Sequence, residues 1–238
     1  MDKIEKLQTL IDKAKNIVFF GGAGVSTESG IKDFRSKDGL YRQKFDYPPE
    51  VYLSRSFFNQ HPDLFYQFYR EKLNCLEAKP NICHNYLVKL ENEGKLSAII
   101  TQNIDGLHEK AGSKKVLPIH GTIYKNHCLN CHKFYEAEVV FNSKGIPRCS
   151  CGGIIKPDVV LYEENLDENM IIKAIDAIKN CDLLIVAGTS LVVYPAASFI
   201  NYYRGNNLVI INKDITSFDK KANLVINDSL GNVFSKLK

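Results

Sequence analysis

The chain has 238 residues, 45% hydrophobic and 24% charged, enough to bury one large core or a core plus a small insert. Its 31 basic and 27 acidic residues leave a net charge of +4, and no basic block stands out, which argues against nucleic acid as a partner. No apolar run reaches membrane-spanning length, and Met1-Asp2-Lys3-Ile4-Glu5-Lys6 lacks the apolar centre of a signal peptide. A cytoplasmic chain with no membrane partner is therefore expected, and its seven cysteines read as metal ligands or buried thiols rather than disulfides.

In chain order, Ile4, Leu7, Leu10, Ile11 and Ala14 recur at helical spacing, so residues 2–15 predict an amphipathic helix. Ile17-Val18-Phe19-Phe20 is wholly apolar, the pattern of a strand buried on both faces. The same pattern returns at 97–101, 182–187 and 208–211, with helix-like stretches at 81–93, 167–179 and 195–204. Strands alternating with amphipathic helices predict an open parallel α/β sheet.

Two stretches break the alternation. Residues 37–80 cluster Phe57, Phe58, Phe65, Tyr66, Phe68 and Tyr69 and read as a helical module packed by its own aromatic rings. Residues 122–156 carry four cysteines and little apolar periodicity, and such an insert cannot hold itself together by core burial alone.

Gly21-Gly22-Ala23-Gly24-Val25-Ser26 directly follows the first predicted strand. Glycines there let the backbone turn sharply and approach a diphosphate; a plain tight turn is the alternative. Thr27 stands where a dehydrogenase fingerprint has its third glycine. Further on, Asp33-Phe34-Arg35 sets an acid, a flat ring and a guanidinium side by side, of which Arg35 suits a phosphate and Phe34 a planar ring.

Cys128-x-x-Cys131 and Cys149-x-Cys151 are two close pairs. Four thiolates so arranged suit one tetrahedral zinc ion, which would supply the folding energy the insert lacks. With all four positions taken by protein the zinc is expected to be structural, and His127 and His132 beside the first pair are not needed as ligands. Cys75, Cys83 and Cys181 read as buried apolar residues.

These motifs together resemble the sirtuins, NAD-dependent protein-lysine deacylases. Residues 22–35 are similar to the family's leading signature, Thr101-Gln102-Asn103-Ile104-Asp105-Gly106-Leu107-His108 to its second, and His120-Gly121 to its third. Gly188-Thr189-Ser190-Leu191 and Ile211-Asn212 match later elements in order, so the likeness runs from about residue 17 to the C-terminus. It implies a doubly wound, Rossmann-like NAD-binding domain from residues 1–36, 81–121 and 157–238. A smaller domain would be made of the helical module, 37–80, and the zinc module, 122–156.

The resemblance also implies a chemistry. Nicotinamide leaves NAD, the acyl-lysine oxygen attacks the ribose to give an alkylimidate, and a general base frees the ribose hydroxyl that carries the acyl group away. Products would be lysine, nicotinamide and O-acyl-ADP-ribose. His120 matches the family's base, and a histidine titrates in the right range. Gln102, Asn103, Ile104 and Asp105 would line the nicotinamide-ribose pocket, Asn103 with a catalytic part. Ala23, Gly24, Thr27, Asp33, Phe34 and Arg35 would surround the diphosphate and nicotinamide side. Gly188, Thr189, Ser190, Asn212 and Asp228 would hold the adenosine half. Residues 157–166 match the substrate strand, with Val160 and Tyr162 lining an apolar acyl-lysine channel and the backbone pairing with an extended acetylated peptide.

Two departures stand out. Where the family usually has Phe-Gly-Glu, this chain has Tyr162-Glu163-Glu164, and the extra carboxylate is expected to favour basic residues in the substrate. Members that prefer acidic acyl groups carry Tyr-x-x-Arg; here Tyr69 is followed by Lys72, which cannot grip a carboxylate bidentately. Deacetylation by a monomer is the expectation. An NAD-dependent ADP-ribosyltransferase, an idle nucleotide sensor or zinc-ribbon module, and a dehydrogenase rank behind it.

Overall fold

The computed structural model describes residues 2–35 and 39–238; the expected boundary between residues 36 and 37 lies outside them. The chain opens with α1 (Lys3–Lys13), started by an Asp2–Glu5 capping box, which satisfies two N–H groups that a helix start leaves unpaired. Then come β1 (Ile17–Gly21), α2 (Pro49–Tyr52), α3 (Arg55–Gln60), α4 (Pro62–Lys72), α5 (Ile82–Asn92), β2 (Leu96–Thr101) and α6 (Leu107–Ala111). β3 (Val116–Pro118), β4 (Gly121–Cys128), β5 (Phe134–Tyr135), α7 (Ala137–Phe141) and β6 (Ile155–Val159) follow. The chain closes with α8 (Glu168–Asn180), β7 (Leu183–Ala187), β8 (Leu208–Ile211), β9 (Leu224–Ile226) and α9 (Leu230–Phe234).

Six strands form one parallel sheet in the order β3-β2-β1-β7-β8-β9. The chain winds outward one way from β1 and the other way from β7, so the switch point lies between these two strands. Ligands of open α/β sheets bind at such a point, beyond the carboxyl ends of the strands. Burial explains the apolar runs: Ile17, Phe19 and Ile99 face one core with α1 and α5, while Val18, Phe20 and Ile100 face a second with α8. Residues 195–204, expected as a helix, form a 3-10 segment from Ala196 to Tyr202. β9 and α9 had no counterpart among the expected elements.

The two irregular stretches share one core. Tyr52, Phe57, Phe58, Phe65, Tyr66, Phe68 and Tyr69 pack with Ile123, Val140, Phe141, Ile155 and Val159. A three-stranded antiparallel sheet, β5-β4-β6, carries the cysteines and runs from Gly121 to Val159, slightly past both ends of the expected module. The Tyr66 hydroxyl donates to the Ile155 carbonyl at 2.5 Å, and Arg70 donates to the Gly145 carbonyl at 2.7 Å. Helices therefore supply the apolar cover that the cysteine insert lacks on its own.

Candidate active site

The carboxyl ends of the strands are knitted together by the glycine loop. Gln102 N–H donates to the Gly21 carbonyl at 3.0 Å, Gly24 N–H to Gly188 at 2.8 Å, and Asn212 N–H to Ile226 at 3.1 Å. Two loops meet backbone to backbone here: a Cβ on Gly24 would lie 2.7 Å from the Gly188 Cα. Only glycine permits that approach, the use expected of a loop that must leave room for a ligand.

Beside this contact lies a cleft of about 320 Å³ lined by Gly24, Thr27, Asp33, Gly188, Asn212 and Asp228, six of the residues expected for the cofactor. The cleft adds Glu28, Lys32, Lys213, Asp214 and Ser229, which sequence reasoning did not assign. Lys213 and Asp214 directly follow Asn212 at the end of β8, and position past the carboxyl end of a sheet strand is the signal that marks them. Part of the acidic charge is committed: Glu28 accepts from Gly231 N–H at 3.1 Å, and Asp228 accepts from Ser229 N–H at 2.7 Å and from the Asn232 amide.

Deeper, a polar cluster joins three loops. The buried Ser26 hydroxyl donates to the Asp105 carboxylate at 2.6 Å and receives the Asn103 amide at 3.0 Å. The other Asp105 oxygen accepts Leu107 N–H at 2.9 Å. Burial pushes the Asp105 carboxyl above its usual range, opposed by the donors from Ser26 and Leu107. The Gln102 amide donates to the Thr189 hydroxyl at 3.0 Å, while Ile104 is half-buried beside them and its carbonyl accepts Ile123 N–H at 3.0 Å. Ser190 is exposed just beyond Thr189.

His120 follows β3, with Nδ1 3.0 Å from the Gln102 carbonyl oxygen. A carbonyl oxygen can only accept, so Nδ1 carries the proton and Nε2 presents its lone pair. Burial lowers the imidazole below its ordinary value, opposed by the Gln102 hydrogen bond, so the ring is neutral at neutral pH. The His120 carbonyl accepts Val160 N–H at 2.9 Å, and a Cβ on the adjacent Gly121, whose φ is +78°, would run into the Asp158 carbonyl. His120 is thereby set against the expected substrate strand.

That strand is anchored to the junction of α2 and α3. Tyr162 N–H donates to Leu53 at 2.9 Å, and Arg55 N–H donates to Tyr162 at 3.0 Å. Leu161 N–H is taken by the Glu164 carboxylate at 2.8 Å, which also pairs with Arg55 at 2.9 Å and Lys156 at 3.2 Å. The N–H groups of Val160, Leu161 and Tyr162 are thus all used within the chain. Glu163 has φ +74°, a conformation natural to glycine. Its carboxylate reaches Ser56 at the surface, accepting the N–H at 2.8 Å and the hydroxyl at 2.9 Å, so it caps α3.

Tyr69 and Lys72, the positions of the Tyr-x-x-Arg match that the sequence leaves incomplete, are both engaged elsewhere. Tyr69 is 0% exposed and stacks between Phe65 and Phe141, while Lys72 pairs with Glu71 at 2.6 Å and lies over the Phe45 ring. A tyrosine sealed in the core offers nothing to an acyl group.

In the small domain, the Sγ atoms of Cys128, Cys131, Cys149 and Cys151 all lie within 4.8 Å of one another, with separations down to 3.4 Å. Zinc–sulfur bonds of about 2.3 Å in a tetrahedron place the sulfurs about 3.8 Å apart, so the donor set fits one zinc ion. His127 pairs with Asp158 at 2.8 Å instead. Cys83 and Cys181 are buried as expected, and Cys75 is half-buried.

The model of the Sir2 family matches residues 22–195. A relative from Clostridium perfringens, named an NAD-dependent protein deacetylase, is 58% identical over 99% of this chain and 98% of its own. A solved structure of Sir2 with a p53 peptide and NAD+ superposes with a TM-score of 0.88 at 39% identity, covering 99% of this chain and 97% of that one. Another, of Sir2 bound to acetylated peptide, gives a TM-score of 0.88 at 38% identity with the same coverage. With the glycine loop, the His120 setting and the four-cysteine cluster in place, the chain belongs to the Sir2 family.

Proposed function

We propose that the protein is an NAD-dependent protein-lysine deacetylase that transfers acetyl from lysine to ADP-ribose with release of nicotinamide. The observation that carries this reading is the placing of His120, whose Nε2 lone pair is fixed by the Nδ1 contact to Gln102 and whose carbonyl holds the Val160 backbone. Relatives named for the activity, and Sir2 structures holding NAD+ or acetylated peptide, support it.

Bound NAD would supply an electrophilic ribose carbon once nicotinamide leaves. The chain does the rest. Gly24, Thr27, Asp33, Gly188, Asn212 and Asp228 hold the dinucleotide along the cleft, with Ala23, Phe34, Arg35, Thr189 and Ser190 at its borders. Gln102, Asn103, Ile104 and Asp105 face the nicotinamide ribose, and Ser26 keeps the Asn103 amide and Asp105 carboxylate in register. His120 Nε2 takes the ribose hydroxyl proton as general base. Val160 and Tyr162 line the acyl-lysine channel. One structural zinc on the four cysteines keeps β4 and β6 folded, and with them the segment that ends in Val160.

In the same reading, residues 37–80 and 122–156 make the smaller domain and the rest the NAD-binding domain. The protein works as a cytoplasmic monomer on acetylated segments of other proteins, without nucleic acid or membrane. Among the described residues no helix is long and apolar enough to cross a membrane. Mass analysis of both products tests the reaction class: O-acetyl-ADP-ribose with free lysine is expected, whereas ADP-ribosylated protein would point to transfer of ADP-ribose instead.

A further inference from the structure

Tyr162 stands where the family resemblance leads one to expect phenylalanine, and its hydroxyl is the group a phenylalanine would lack. The hydroxyl lies 2.9 Å from that of Tyr41. Tyr41 sits beside the cofactor segment. Its N–H donates to the Phe34 carbonyl at 2.9 Å, and Leu40 N–H donates to Asp33 at 2.9 Å. The Phe34 ring meets the Tyr41 ring edge-on at 5.7 Å, and the Arg35 guanidinium lies 4.9 Å over it. Tyr41 is therefore tied to Phe34 and Arg35.

At the other end, Tyr162 is fixed to the junction of α2 and α3 through Leu53 and Arg55 and stands two residues from Val160, whose N–H is held by His120. One hydroxyl–hydroxyl bond thus joins the segment expected to surround the diphosphate and nicotinamide side to the segment expected to hold the acyl-lysine. Burial, and then the bond to Tyr162, raise the Tyr41 hydroxyl well above its ordinary range, so it stays neutral and hydrogen-bonding across the working pH range.

We infer that the Tyr41–Tyr162 pair is a latch through which occupation of the dinucleotide cleft and of the acyl-lysine site favour each other. It is a positioning pair and takes no part in the chemistry. Whichever ligand arrives first sets one tyrosine in place, and the second then meets a segment already held, which is positive coupling in the thermodynamic sense. A bond of this kind carries a coupling of about fivefold. By linkage the factor is the same in either direction. The inference rests on the functional reading above.

The test uses the full zinc-loaded chain, ADP-ribose as a dinucleotide probe that has no nicotinamide to lose, and an acetyl-lysine peptide. Calorimetry gives the Kd of ADP-ribose alone and with saturating peptide, and their ratio is the coupling. A ratio of about fivefold is expected in the unmodified protein, falling close to one in Tyr162→Phe and in Tyr41→Phe, with the double variant no different from either. Both substitutions remove one oxygen and keep the ring, and a role confined to holding the fold would lower thermal stability without moving the ratio. An unchanged ratio in either variant, or no coupling in the unmodified protein although both ligands bind, would overturn the latch alone. Failure of the unmodified protein to bind ADP-ribose or peptide would overturn the functional reading together with it.

Discussion

The Ser26 hydroxyl donates to the Asp105 carboxylate at 2.6 Å across 79 residues of sequence, and the same oxygen receives the Asn103 amide. One small side chain in the glycine loop thus orders two groups of the neighbouring loop. Ser26→Ala removes both contacts and leaves a buried carboxylate with one donor fewer, a loss of about 1.5–3 kcal/mol for a hydrogen bond to a charged group. The expected result is a fall in kcat/KM of about tenfold or more with the fold intact by circular dichroism. Steady-state kinetics with NAD and acetylated peptide checks it.

Glu163 combines a left-handed backbone with a helix cap, and the two can be separated. Glu163→Ala keeps the φ of +74° and loses both bonds to Ser56, so it should destabilise by about 1–2 kcal/mol. Glu163→Gly loses the same bonds but relieves a strain of about 1 kcal/mol, and should lie closer to the parent. Urea unfolding of the three proteins reads the order directly.

The four cysteines predict a stability split. Chelation of zinc, or Cys149→Ser, should release amide protection first across β4, β5 and β6, while β1 and β7 in the main sheet stay protected. Activity should be lost with the first set, because Val160 and Tyr162 continue from β6. Hydrogen exchange on the metal-loaded and chelated protein follows both sets at once; equal loss in the two would contradict a local structural role for the metal.

His84 and His108 lie buried with ring centroids 4.7 Å apart. Burial depresses His84 to about 4; burial and then its neighbour depress His108 to about 3. Both are neutral in the folded protein, whereas the unfolded chain binds protons to them below about pH 6.5. Their contribution is therefore complete above about pH 6.5 and is lost as pH falls toward 4 and 3, on the order of several kcal/mol by pH 4. His84 Nδ1 also accepts Asn81 N–H at 3.2 Å, and glutamine can fill that capping role. His84→Gln should flatten the fall of Tm between pH 6.5 and 4, as thermal melts across that range would show.

Much of the sheet was legible because β1, β2, β7 and β8 are buried on both faces and so read as continuous apolar runs. β9 is only three residues long, too short for such a run to stand out. The motif residues could be picked out, but not their partners: nothing in Ser26 announces Asp105. Tyr69 is a related case: its place in the Tyr-x-x-Arg match was legible, its burial in the core was not. α4 buries Phe65, Tyr66, Phe68 and Tyr69, and spacing along an aromatic helix does not say which ring faces a channel and which the core. The Glu163 position was recognisable as a departure from glycine, yet only the backbone shows that the chain keeps the glycine-like turn and uses the carboxylate as a cap.

The most direct test of the central claim, that His120 Nε2 is the base serving an NAD-dependent deacetylation, is mass spectrometry of an acetylated peptide incubated with enzyme. Three samples suffice: with NAD, without NAD, and with NAD and His120→Ala. The account predicts loss of the acetyl mass only in the first, with near-complete loss of activity in the variant. Deacetylation that persists without NAD, or that proceeds undiminished in His120→Ala, would contradict it.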